Sequence, residues 1–173
     1  MAGMSSCKNG DAASLKYEKY KLDNGLEVVL HEDKSDPVVS VAIQYHVGSN
    51  REKPGKTGFA HFFEHMLFQR SENLPRNAFF QKIDAMGGSF NGGTSNDGTV
   101  YFETVPRDAL EKVLWMESDR MGYFINTVTE GGLKREIDVV SNEKRRVRTC
   151  PTGWRSTSYS KTSSRRDILT VGR

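Results

Sequence analysis

The stretch Gly58-Phe59-Ala60-His61-Phe62-Phe63-Glu64-His65-Met66-Leu67-Phe68 decides how this chain is read. After Gly58 it holds no glycine or proline, and it is apolar almost throughout. A buried helix over Phe59 to Gln69 is therefore expected. On a helix, residues four apart share a face. His61 and His65 can then reach one ion, and neutral imidazole is a good zinc ligand. Glu64 points to the same face, placed to take a proton from a water activated by that metal. The rival reading puts these three residues on a solvated helix face. The surrounding Phe59, Phe62, Phe63, Met66, Leu67 and Phe68 argue against it. Buried ionisable groups are costly unless they share a partner, and a metal is one.

A catalytic zinc usually has three protein ligands and one open position. His31 and His46 fall on expected strands and read as core or surface residues. A helix expected from Thr129 to about Arg146 offers Glu136 and Glu143, seven apart and so about 20° from eclipsed. One would ligate while the other supports a ligand's second ring nitrogen. Spacing alone does not say which, and two exposed glutamates on a charged helix fit it equally well.

Outward from the motif, Tyr17 to Leu22 and Leu26 to His31 read as strands joined by an Asp23-Asn24-Gly25 hairpin turn. Val38 to Val47 is β-branched and reads as a more buried strand. Arg76 to Met86 is an expected helix ended by Gly87-Gly88. Ser89 to Asn91 and Thr99 to Val105 are expected strands. Arg107 to Met121 reads as an amphipathic helix with Leu110, Val113, Leu114 and Met121 on its apolar side. The order β-β-β, α-α, β-β, α-α predicts an α+β fold, a largely antiparallel sheet with helices packed on one face. The domain, taken as residues 15–147, is expected to be incomplete at its C-terminal end.

The pattern H-x-x-E-H is the inverted zinc-peptidase signature. From about Tyr17 to Arg146 the chain resembles the N-terminal catalytic domain of the insulinase/pitrilysin family, the inverzincins that include mitochondrial processing peptidases. The resemblance rests on Asp23-Asn24-Gly25-Leu26, Val47-Gly48-Ser49, Gly58 to Phe68, Gly87-Gly88 through Asn91, Thr94, Tyr101, and Arg135-Glu136 to Glu143. It implies one zinc ion held by His61, His65 and Glu143, with Glu136 supporting a ligand and Glu64 as catalytic base. The separation of Glu143 from His65, 78 residues, fits the family. Asn91 and Gly92 resemble the family's edge strand that pairs with substrate backbone; without the resemblance Asn91 reads as a turn residue. The implied activity is zinc-dependent endopeptidase cleavage of peptide or protein substrates. A second family domain or a partner subunit is expected to complete the site, and the chain alone is expected to have little activity.

The two ends differ from this middle. Residues 1–14 read as a disordered leader, and Cys7 and Cys150 as two separate free thiols. From Lys144 onward there are nine Lys or Arg and one acid. The remaining 16 bases and 21 acids precede it, so the net charge of +3 belongs to the tail. Residues 148–173 are Ser/Arg-rich and without period, and are expected to be disordered. Read with the third base of each codon joined to the next two, this segment permits L-P-Y-G-L and later D-L-F-P-A-G-H-P-Y. That string resembles the family's continuation. The expectation is a truncation or frameshift after about residue 147, which the gene's nucleotides decide.

Two other readings compete with this one. A basic tail suggests nucleic-acid binding, since phosphates need only clustered Lys and Arg. An out-of-frame tail removes that meaning, so no nucleic-acid partner is expected. A non-catalytic family subunit or scaffold would lack part of the metal motif, whereas all four residues are present here. No apolar run approaches the ~20 residues that span a bilayer, and no transmembrane segment is expected. The compartment is not read from the sequence: no signal peptide shows in it, an upstream start would allow a periplasmic or secreted protein, and otherwise the protein is cytoplasmic.

Overall fold

A computed structural model describes the backbone of residues 15–149 and 169–172, with side chains described from 15 to 145. The expected leader 1–14, both cysteines, residues 150–168 and Arg173 lie outside the described residues. The fold is α+β, as the element order predicts. Strands β1 (Glu18–Lys21) and β2 (Glu27–Leu30) form the hairpin, whose turn is tied by Leu26 N–H donating to Asn24 Oδ1 at 3.0 Å. Strand β3 (Val38–Tyr45) follows, then helices α1 (Phe59–Leu67) and α2 (Ala78–Ala85). Strands β4 (Ser89–Thr94) and β5 (Thr99–Pro106) form a second hairpin. Helices α3 (Leu110–Tyr123) and α4 (Glu130–Thr149) complete the helical side.

The sheet has six strands in the order β1-β2-β6-β3-β5-β4. Strand β6 (Leu169–Gly172) comes from the tail. It runs antiparallel to β2 and parallel to β3; every other pair is antiparallel. The tail was expected to be irregular from residue 148. The structure instead carries α4 on to Thr149 and makes a strand of residues 169–172. Leu169-Thr170-Val171 is apolar and β-branched, a composition that suits a strand. It fills a gap where β2 and β3 would otherwise each expose an unpaired backbone edge.

Strand β5 shows the layering. Thr99, Tyr101, Glu103 and Val105 are buried on one face, while Phe102 and Pro106 on the other are exposed. The buried row meets the helices. The core there comprises Val41, Leu74, Phe79, Ile83, Val105, Ala109, Val113 and Met116. The loop between α1 and α2 is pinned to α3 by Asp119, which accepts from Ser71 Oγ and, at 2.6 Å, from Asn73 Nδ2.

Two sequence expectations need correction. On α3, Val113 and Met116 are buried, but Leu114 and Met121 are exposed. The inward face carries the charged Glu117 and Arg120, so apolar periodicity alone misplaces it. Helix α1 is not buried all round either. Ala60, Glu64 and Met66 face inward, while Phe59 and Phe63 are exposed and pack on each other at 6.3 Å between ring centroids.

Candidate metal centre

Helix α1 starts without a Ser, Thr or Asp cap. Gly58 provides the entry, with φ of 97°, a left-handed conformation that suits glycine. Glu52, from the preceding loop, supplies the missing acceptors. Its carboxylate takes the N–H of Gly58 at 2.7 Å and of Ala60 at 2.8 Å. The Ala60 and then the Gly58 N–H groups hold its carboxyl below the usual range. Helix α4 is capped by Thr129, whose Oγ1 accepts from Gly132 N–H at 3.2 Å. The two helices pack together, and α1 also rests on β4.

At the α1–α4 contact three ligand-type atoms converge. His65 Nε2 lies 3.2 Å from His61 Nε2 and 3.2 Å from Glu143 Oε2, and His61 Nε2 lies 3.7 Å from the same oxygen. Four ligands placed tetrahedrally 2.0–2.1 Å from a zinc ion stand about 3.3 Å apart. The triangle therefore has the size a zinc site requires, and its donors, two imidazoles and a carboxylate, are zinc donors. Glu143 is 48% exposed, so the cluster opens to solvent.

Glu136 is buried beneath it, with only 4% of its side chain exposed. Its Oε2 faces His65 Nδ1 at 3.8 Å, an ion-pair distance rather than a hydrogen bond. It thus addresses the ring nitrogen opposite the one in the triangle. Glu64, also buried, is held by Thr94 of β4, whose hydroxyl donates to Oε2. Thr99 Oγ1 lies 3.1 Å from Thr94 Oγ1 and donates to the Val47 carbonyl at 2.9 Å. Sequence reading did not give Thr94 or Thr99 a role beside Glu64. The β4–β5 register pairs them across the strand ends, and no local pattern announces that.

The remaining sequence candidates lie on β4, the last strand of the sheet. Asn91 is exposed and accepts the Gly92 N–H through Oδ1 at 2.8 Å. At Gly92 a Cβ would come within 2.9 Å of the Phe68 ring, so glycine here lets α1 approach the sheet. His31 and His46 stay outside the cluster: His31 Nδ1 lies 2.6 Å from the Lys16 carbonyl, and His46 contacts Arg51.

Comparison with known proteins agrees with this geometry. The model of the insulinase family, peptidase family M16, matches residues 27–168. An insulin-degrading enzyme homolog of Dictyostelium discoideum is 38% identical over 131 residues, covering 74% of this chain and 13% of that protein. The zinc protease PqqE of Helicobacter pylori is 35% identical over 140 residues, covering 80% of this chain and 31% of that one. Among solved structures, a protease from Helicobacter pylori superposes with a TM-score of 0.73 at 35% identity, covering 77% of this chain and 32% of its own. The first half of the periplasmic protease PqqL from Escherichia coli gives 0.69 at 29% identity, over 76% of this chain and 29% of that one. The chain belongs to the insulinase family, peptidase family M16. It spans about a third or less of the length of these relatives. Among the described residues no helix is long and apolar enough to cross a membrane.

Proposed function

We propose that this chain carries the metal-binding part of a zinc-dependent endopeptidase. The observation that supports it most is the triangle of His61, His65 and Glu143, with sides of 3.2, 3.2 and 3.7 Å. These residues hold one zinc ion, and Glu136 orients His65 from behind through Nδ1. When bound, the ion supplies Lewis acidity, polarising the scissile carbonyl and acidifying the attacking water. Glu64 takes the proton from that water and hands it to the leaving amine. Its hydrogen bond from Thr94 fixes the carboxylate for that transfer, and its burial keeps the base away from bulk water. The substrate backbone lies along the open edge of β4 at Asn91 and Gly92, as an added strand. A second domain or partner subunit closes over the cluster, because Glu143 is half exposed and Phe59 and Phe63 lie uncovered beside it.

All four motif residues being present favours the catalytic type over a scaffold subunit. The test pairs metal content with cleavage of an unstructured peptide. Glu64→Gln should retain one zinc per chain and lose cleavage by about 10²–10⁴-fold; His65→Ala should lose the zinc. Undiminished cleavage by Glu64→Gln refutes the mechanism. The chain alone should turn over slowly, and brisk turnover would overturn the need for a completing partner.

A further inference from the structure

Next to the metal helix lies a second cluster of ionisable groups that the proposed chemistry does not use. Arg120 of α3 is 1% exposed. Its Nη2 donates to both carboxylate oxygens of Glu117 at 2.5 Å and stands 3.6 Å from Glu103 Oε1. Its Nε and Nη1 have no hydrogen-bond acceptor among the described residues. Rings crowd the same guanidinium. Cζ lies 4.2 Å from the centroid of Tyr101, 4.8 Å from Phe79 and 5.3 Å from Phe68. Carboxylates and aromatic rings thus hold the cation together, an arrangement in which a guanidinium stacks well.

Two of those rings lead to the site. Phe68 caps α1, its N–H donating to the His65 carbonyl at 3.2 Å. Its ring meets Tyr101 edge-on at 5.1 Å and sits where a side chain at Gly92 would be. Tyr101 is paired with Gly92 across the β4–β5 ladder. Stability alone does not call for a cation here, because apolar residues of similar volume commonly replace a buried ion cluster without loss. What a caged planar cation adds is a fixed orientation for the rings around it.

We infer that Arg120 is a positioning residue for the metal centre. Through Phe68 and Tyr101 it sets where α1 rests on β4, and hence how His61, Glu64 and His65 are presented. Lysine has no planar fork and cannot reproduce this. The inference rests on the proposed metal site for one of its two readouts only.

The experiment compares Arg120→Lys with Val28→Ala, a core truncation on β2 outside this cluster. Hydrogen exchange of the metal-free chain is measured first, then a Co²⁺ titration followed by visible absorption. Arg120→Lys should speed exchange selectively in the last turn of α1 and in β4. It should also weaken Co²⁺ binding by about tenfold, with altered absorption bands. Val28→Ala should do neither. If Arg120→Lys speeds all elements alike, or leaves α1 and β4 unchanged, the positioning role is overturned. If the wild-type chain takes up no Co²⁺, the metal reading falls and the exchange comparison still decides this one. If Arg120→Lys does not fold, Phe68→Leu removes the ring with the charges intact and must give the same local exchange at α1; failure to do so overturns the inference equally.

Discussion

The candidate metal centre and the Arg120 cluster meet at Phe68, yet their carboxylates have different partners. In the core cluster Arg120 is the counter-ion of Glu117 and lies 3.6 Å from Glu103, and all three are sealed from water. At the metal centre the ion pairs of Glu136 and Glu143 among the described residues run to histidine alone. Under the proposed function the carboxylates at the metal centre are arranged to receive a cation, whereas acceptors supplied with an arginine are already complete. Burial follows the same division: the complete cluster is closed, and the receptive one opens to solvent.

The contrast breaks most visibly in the sealed cluster. Arg120→Met strands two buried carboxyl groups and should cost about 3–5 kcal/mol in a denaturation titration. Adding Glu117→Leu and Glu103→Leu should recover most of that loss. If the single variant is as stable as wild type, the cluster is not the closed unit described here. At the receptive cluster, Glu136→Gln should leave folding nearly unchanged while weakening zinc binding about 10–100-fold. A chelator competition assay reads that directly, and an unchanged affinity removes Glu136 from the site.

The stability of the sealed cluster should also depend on pH. Burial first, and Glu117 next, push the Glu103 carboxyl up to about 9, against Arg120, which opposes the shift. The folded chain therefore keeps a proton there that the unfolded chain gives up. That contribution to stability is complete below the ordinary carboxyl pKa of 4.5 and is lost as pH rises to about 9. The slope is at most about 1.4 kcal/mol per pH unit. Glu103→Gln should flatten it, and a slope equal to that of wild type would show that Glu103 is not the group responsible. The smallest effect is expected on β4. Asn91→Ala should raise KM a few-fold, on the order of 1 kcal/mol, with kcat little changed. A loss confined to kcat would place Asn91 in the chemistry rather than along the substrate.

The same division governs what could be read from sequence. His61, Glu64 and His65 declare a common face because helical spacing is local, and Glu143 shares one with Glu136 by the same rule. The strands β4 and β5 were likewise legible, Thr99 to Val105 over nearly its full length. Thr94 beside Glu64 was not, since sheet register brings it there. Glu117 and Arg120, three apart on a helix, look like an ordinary solvated pair. Only the strand row that includes Tyr101 and Val105 shows that Glu103 points inward to meet them. The exposed faces of α1 and α3 misled for the opposite reason: phenylalanine, leucine and methionine were assigned to the core by hydrophobicity, without knowing which surfaces the helices present.

Strand β6 has a consequence for the order of events during folding. β2 and β3 are joined through it, and its residues come from far down the chain. As the polypeptide emerges, β3, α1, β4, β5, α3 and α4 are all available to assemble before Leu169–Gly172 has been made. Contacts so distant in sequence close late and slowly. The β3-β5-β4 part of the sheet, on which α1 with His61 and His65 rests, can thus take shape first, while the β1–β2 hairpin waits to be joined through Leu169–Gly172.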